Sequence, residues 1–410
     1  MSKPLRLLFA TSAFPKTSET FVTDQIIGLH RLGHHIDVFT TNIGAIDDTG
    51  LRRELASSVG HLVLPPGTPA DQSFDWLPQR RQPAWWRPRT WSRLFRVVTH
   101  PGFRRLRYPL KRGAALLDAP DYDAVVCHFG PAGVMIQQMR DIGLIRAPLV
   151  TIFHGYDLTN YLERVPDSYY DGLFTRGDLF LPVSDRWRNR LAELGCPVAS
   201  TRLQRLGTDL DTFSHAVRVP EAGQPLRLMS VARLVEKKGV EFGIRAVARL
   251  AAAGVSATYD VVGDGPLRDG LENLVAELGL TDKVVFLGSR SHAEIATIMR
   301  EHHALLVPSV TDAKGGMEGI PVVIMEAMAT GLLVVASRHS GIPEIVRHQE
   351  NGLLAEERDD AGLAECLSSI RHDEAQWRRM VLAAREMVHT EYDLRKQNAR
   401  LAEILAELQY

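Results

Sequence analysis

The feature that most constrains this chain is an alternation of short apolar runs with amphipathic helical stretches. From about residue 225 the order is "LRLMSVAR", a helical pattern over "GVEFGIRAVARLAAAG", "ATYDVVGDG", a helix over "LRDGLENLVAELG", "KVVFLGS", a helix over "SHAEIATIMREH", "ALLVPS", a further apolar segment and "LLVVAS". Short apolar runs that end in turn residues predict strands covered on both faces, and strands separated by helices pair in parallel. The N-terminal half repeats the scheme: "LRLLFAT", "ETFVTDQIIGLHRLGH" and "HIDVFTT", then "YDAVVCHFG", "PLVTIFHG" and "LFLPVS". Phe21, Ile26, Leu29 and Leu32 recur at helical spacing, with Gly33 placed to end that helix. The fold class is therefore α/β with doubly wound parallel sheets, whose ligand sites lie at the C-terminal ends of the strands.

A chain of 410 residues exceeds one ordinary core, so two domains are expected, 1–205 and 206–385. Gly207 to Pro225 carries no periodic pattern and reads as the linker. Residues 386–410 read as a C-terminal helix packing back toward the first domain. With 48 Lys and Arg against 49 Asp and Glu, nothing global argues for nucleic acid. Cys127, Cys196 and Cys366 are an odd number without metal-ligand spacing, which fits a reducing compartment and argues against a zinc site. The first apolar run is too short for a signal h-region, and no 18-residue apolar stretch exists; a cytoplasmic location is expected.

One window departs from this composition. Residues 76–117 hold no acidic residue, eleven Lys and Arg, and Trp76, Trp85, Trp86 and Trp91, four of the six tryptophans. The alternative is a solvated basic loop, as basic runs usually are; interleaved tryptophans, whose rings favour a core or a membrane interface, weigh against it. An insertion meeting an anionic membrane surface through Arg87, Arg89, Arg93 and Arg96 is expected.

The segment "GGMEGIPVVIMEAMATG" places Glu318 and Glu326 at either end of an apolar run. Pro321 suits the first turn of a helix and Gly331 its end. Amides near Gly319 and Ile320 would then face an anion, and the glutamates would lie ~12 Å apart if the interval is helical. Carboxylates accept from vicinal hydroxyls and repel phosphate. Two of them flanking an anion site suit a ligand with hydroxyls at both ends and a diphosphate between, as in a nucleotide sugar. The alternative is a capping Glu318 and a solvent-facing Glu326. In "SVARLVEKKGVE", Arg233 and Lys238 follow a strand and can reach a diphosphate there, the alternative being a solvated charged turn; Glu236 and Lys237 read as surface. Gly263 and Gly265 in "VVGDGP" permit close backbone approach to a ligand, without the glycine pattern of a nicotinamide site. His154 ends a strand, with Asp157 in the same turn, and can exchange a hydrogen bond with a sugar hydroxyl. Ser18, Glu19 and Thr20 open the first helix, with Ser18 or Thr20 as its N-cap or its amides facing an acceptor.

Taken in order, "FPKTSETFV", "HFGPAGV", "TIFHGYD", "LPVSD", "LGTDLDTF", "VARLVEKKG", "VVGDGP" and "EGIPVVIME" resemble the retaining glycosyltransferases of family 4, over essentially the whole chain. They are most similar to the colanic acid and amylovoran exopolysaccharide enzymes. The resemblance implies the GT-B fold, two Rossmann-like domains facing a central cleft. It implies Glu318 on the donor sugar, Glu326 on the ribose, Arg233 and Lys238 on the diphosphate, and His154 near the anomeric centre. His128 joins Ser18, Glu19, Thr20 and Asp157 on the acceptor side. Retention would come from front-face attack, the leaving phosphate taking the acceptor's proton, with no metal and no cofactor. The partners implied are a UDP- or GDP-hexose, UDP-galactose first, and an undecaprenyl-diphosphate-linked glycan at the inner leaflet. Two departures stand out: "KTSET" replaces the usual glycine pair of the first loop, and Ala232 the usual glycine before Arg233. Competing readings are a GT-B enzyme with a soluble acceptor (a sucrose-phosphate-type transferase or a phosphorylase) and a silent sugar-binding scaffold. The basic Trp-rich window disfavours the first; intact Glu318, Arg233, Lys238 and His154 disfavour the second.

Overall fold

A computed structural model describes residues 3–16, 19–44, 49–68, 76–80, 82–100, 107–221 and 223–408. The chain divides into two compact units, Met1–Val183 with Trp187–Gln204 and Arg395–Tyr410, and Ser184–Arg186 with Arg205–Leu394.

The first unit is built on seven strands: β1 Arg6–Phe14, β2 His35–Ile43, β3 Val59–Val63, β4 Gln79–Arg80, β5 Ala124–His128, β6 Leu149–Phe153 and β7 Leu179–Pro182. Their order is β4-β3-β2-β1-β5-β6-β7, all parallel. β5 and β6 are buried at every residue, which is why they read as continuous apolar runs rather than alternating ones. The order reverses between β1 and β5, so the loops after these two strands flank the crevice where such sheets bind ligands.

The second unit repeats this plan with β8 Leu226–Val231, β9 Ala257–Val262, β10 Val284–Gly288, β11 Ala304–Val307, β12 Leu333–Ser337 and β13 Leu353–Ala355, in the order β10-β9-β8-β11-β12-β13. Here the reversal lies between β8 and β11. Leu228, Tyr259, Leu306 and Val335 sit in the core cluster together with Trp377 of the helix Glu374–Glu391.

Two boundaries differ from the sequence reading. The expected helix over 386–410 is two helices, Glu374–Glu391 and Leu394–Glu407, and only Arg395–Tyr410 belongs to the first unit. At the break the Thr208 amide donates to the Tyr392 carbonyl (2.9 Å) and the Leu394 amide to the Thr208 carbonyl (3.1 Å). A Cβ on Gly207 would lie 2.6 Å from the Leu394 Cα, so "LGTD" needs its glycine for this crossing. The supposed linker is packed rather than free: the Ala216 amide donates to the Thr330 carbonyl and Arg385 to that of Phe213, all within the second unit.

The basic window starts as the edge strand β4 and continues as the helix Pro88–Val98. The four arginines expected to meet lipid all have protein partners, with Arg87 and Arg89 still about half exposed. Arg93 is buried and donates to the carbonyls of Leu116 and Ala119 (2.7 Å each) and to Asp121 (2.5 Å). Arg87 pairs with Asp118 (3.4 Å), Arg89 donates to the Ala119 carbonyl (3.3 Å) and Arg96 to that of Gly143 (3.5 Å). Composition shows that a cation is present but not which carbonyls and carboxylates the chain brings back to meet it.

Candidate active site

In the second unit the functional side chains sit on the loops that leave the strands at their C-terminal ends. After β8, the 3-10 turn Glu236–Lys238 is closed by Gly239 in the left-handed region (φ +59°), where a Cβ would lie 1.9 Å from the Pro308 carbonyl oxygen. That turn aims two lysines at one target. Lys238 Nζ donates to Glu318 Oε2 at 2.8 Å, and Lys237 Nζ lies 2.9 Å from Oε1. Lys237, expected to be surface, is therefore part of the site. Glu236 also has a partner, accepting from the Ala313 amide (3.0 Å).

Glu318 is 8% exposed. Burial alone would raise its carboxyl, but the ammonium groups of Lys238 and Lys237 outweigh that and hold it at about 2. Its position is fixed from the main chain. The Glu318 amide donates to His339 Nε2 (3.0 Å), and Ser340 Oγ donates to the Glu318 carbonyl (2.6 Å). With Nε2 accepting, the imidazole hydrogen is on Nδ1, which donates to Glu357 Oε1 (2.6 Å). The other Glu357 oxygen accepts from the Thr311 amide (2.9 Å). Lys238, Glu318, His339 and Glu357 follow β8, β11, β12 and β13, so the linked contacts run along the sheet's C-terminal edge in strand order.

Glu326 is buried in the helix Val322–Thr330, not solvent-facing, and lies 3.2 Å from His292 Nε2. The His292 ring meets Phe213 edge-on at 5.8 Å. The helix begins at Val322 with Pro321 at its N-cap, so the interval between the glutamates is only partly helical and the first-turn amides lie beyond Gly319 and Ile320. The Gly319 and Ile320 amides nonetheless have no hydrogen-bond partner among the described residues, while the Ile320 side chain is buried. Arg233 is exposed and its guanidinium has no partner among the described residues. Gly263 and Gly265 are explained by packing. A Cβ on Gly263 (φ +126°) would lie 1.9 Å from the Ala232 carbonyl oxygen, and one on Gly265 2.5 Å from that of Leu234. Their close approach is to the loop after β8, which they hold in place.

In the first unit, His128 ends β5 and His154 follows β6. Their rings stack at 5.2 Å, with His128 Nδ1 3.1 Å from His154 Nε2. Phe21 stacks on His154 at 4.4 Å and Phe129 lies at 4.6 Å. Burial pushes both imidazoles down, His128 to about 3 and His154 well below its ordinary value, with neighbouring His128 adding to the latter. Both are neutral at physiological pH, suited to hydrogen bonding rather than to holding charge. Asp157 does not face an acceptor. It is fully buried and accepts from the amides of Gly130 (2.9 Å), His154 (3.1 Å) and Gly155 (2.8 Å), tying the loop after β6 to the helix Gly130–Asp141. Burial pushes its carboxyl up to about 6 despite these donors. The helix Thr20–Arg31 has Glu19, not Thr20, at its N-cap position, and Glu19 pairs with Lys16. Ser18 lies outside the described residues. Phe21 and Phe129 carried no sequence signal beyond apolarity.

Residues 17–207 match the family described as glycosyl transferase 4-like domain, and 214–387 that of glycosyl transferases group 1. WcaL of Salmonella typhimurium, assigned as a colanic acid biosynthesis glycosyltransferase, is 36% identical over 413 residues, covering 98% of this chain and 99% of WcaL. The amylovoran biosynthesis glycosyltransferase AmsK of Erwinia amylovora is 34% identical over 416 residues, covering 98% and 100%. The crystal structure of Anabaena HepE in complex with UDP and glucose superposes with a TM-score of 0.70 at 19% identity, covering 98% of this chain and 100% of that one, a likeness of fold. With two parallel α/β sheets of matching order and 34–36% identity to WcaL and AmsK over nearly the full length, the chain belongs to the family 4 glycosyltransferases of GT-B fold, alongside the colanic acid and amylovoran biosynthesis enzymes.

Proposed function

We propose that this protein transfers a hexose, with retention, from a nucleotide sugar to a lipid-linked glycan in exopolysaccharide biosynthesis. The observation that carries this reading is the second unit's strand edge. There a buried carboxylate, Glu318, is kept ionised by two lysines, and its Oε1 accepts no hydrogen bond of good angle among the described residues. Such an oxygen can take a sugar hydroxyl. Lys237, Lys238 and the unpaired Arg233 can take the diphosphate, where fixed cations stabilise charge that grows as the bond to the leaving group breaks. The unpartnered Gly319 and Ile320 amides add neutral donors, and the buried Glu326–His292 pair suits a ribose.

The donor is a UDP- or GDP-hexose, UDP-galactose first. Three cations can balance a diphosphate without a divalent ion, so the reaction is metal-independent; EDTA should leave the rate unchanged. His154, neutral and boxed by aromatic rings, offers a ring nitrogen to a hydroxyl rather than a charge. The acceptor is an undecaprenyl-diphosphate-linked glycan, and the enzyme works at the cytoplasmic membrane surface. Screening UDP- and GDP-hexoses against lipid-linked glycans, read by mass shift and by the anomeric configuration of the product, tests the proposal. Transfer with inversion, or only to free sugars, overturns it.

A further inference from the structure

The helix Pro88–Val98 is amphipathic the wrong way round for a soluble domain. Its protein-facing side is Thr90, Arg93 and Val97, spaced three and four residues apart, and its arginines pair with carbonyls and carboxylates of residues 116–121 and 143, Arg93 buried among them and Arg87 and Arg89 staying about half exposed. Its outward side is Trp91, Phe95 and Val98, also at helical spacing and 57%, 70% and 45% exposed, continued at the N-terminal end by Trp86 at 83%. Trp91 is held in this outward pose: its Nε1 donates to the Trp85 carbonyl (2.7 Å) and its ring packs on that of Trp85 at 5.8 Å. A row of large aromatic and aliphatic side chains facing water, on a helix whose polar side is anchored, is the surface of an element whose partner is apolar.

We infer that this face lies in the headgroup–acyl boundary of a lipid bilayer and docks the enzyme there by aromatic insertion. It rests on the proposed lipid-linked acceptor only for its purpose. Two observations select a bilayer over a protein partner. The outward side chains are dominated by Trp and Phe, whose amphipathic or bulky rings suit the interface. The surroundings complement an anionic leaflet: no acidic residue falls within 76–117, and the Arg87 and Arg89 side chains remain about half exposed beside Trp86 and Trp91. No described helix is long and apolar enough to cross a membrane, so the contact is one of lying on the surface. Because the arginines are braced internally, insertion of rings outweighs electrostatic attraction.

The test uses the full chain with acceptor-free vesicles, so a negative result leaves the transfer reaction standing. Vesicles are pure phosphatidylcholine, or contain about one-third phosphatidylglycerol. Binding to both is expected, stronger with the anionic lipid, and falling less than about tenfold between roughly 0.1 and 0.5 M NaCl. Brominated acyl chains should quench tryptophan emission. Trp86→Ser with Phe95→Ser removes side chains that brace nothing and should weaken binding roughly a hundredfold; adding Trp91→Ser weakens it further. Activity on detergent-dispersed acceptor should be unchanged in the double variant. Failure to bind either vesicle, undiminished binding of the double variant, or a concentration-dependent dimer that shields these tryptophans from quencher overturns the inference.

Discussion

Replacing Lys237 by methionine tests whether the second lysine holds Glu318 as the geometry says. The Glu318 carboxyl lies at about 2 against an ordinary 4.5, which at about 1.4 kcal/mol per pH unit corresponds to about 3 kcal/mol of folded-state stabilisation. The folded-state value is the depressed one. This contribution is therefore complete above about pH 4.5 and lost as pH falls toward 2. Lys238, the larger contributor, remains in the variant, so most of this should survive, a loss on the order of 1 kcal/mol at neutral pH that shrinks as Glu318 protonates. Glu318→Gln should abolish this part of the pH dependence altogether. The two units need separate readouts, because a two-unit chain is not two-state. Trp377, fully buried, is the one tryptophan of the second unit, so 5-fluorotryptophan NMR of urea titrations from pH 3 to 7 isolates its transition. If Lys237→Met and wild type keep a constant stability difference across that range, Lys237 does not act through the Glu318 charge.

Three further outcomes follow from the site. Asp157→Ala strands three amide donors, two of them buried, and should destabilise the first unit by about 2–3 kcal/mol, seen as a lower unfolding midpoint; a folded variant altered only in acceptor KM would restore Asp157 to the acceptor side. Arg233→Ala removes an exposed, unpartnered cation, so stability should hold within about 0.5 kcal/mol while kcat/KM for the donor drops roughly ten- to a hundredfold; wild-type kinetics would remove Arg233 from the diphosphate. Glu318→Gln should lower kcat more than Glu326→Gln, whose effect should fall mainly on donor KM, and the opposite order would mean that the ligand lies reversed.

What the sequence made legible follows a physical line. Strands with unbroken apolar runs, such as "AVVCH" and "LVTIF", were readable because burial on both faces leaves no polar position. β3 was not, since Gly60 and His61 interrupt "VGHLV", and β13 has only three residues. Glu318 and Lys238 were each readable from their loops, but their pairing was not. It depends on β8 and β11 being neighbours in a sheet whose order is not the sequence order. His339 and Glu357 escaped for the same reason, standing 21 and 39 positions beyond Glu318 and joining it only across adjacent strand ends. Asp157 misled because a carboxylate in a strand-end turn looks the same whether it serves a substrate or its own backbone.

The pairing of Lys237 and Lys238 with Glu318 has a consequence for what the proposed donor site would admit. The lysines do not wait as bare charge; a carboxylate already occupies them. Any anion that enters must displace an internal competitor tethered to the same fold, whose effective concentration is set by the chain rather than by the solution. A lone phosphate offers too little to win that exchange. A diphosphate can contact several cations at once, and a sugar joined to it can return a hydroxyl to the carboxylate it displaces. On the proposed reading, the site disfavours the small anions abundant around it by making them compete, and favours the ligand that compensates both sides of the pair.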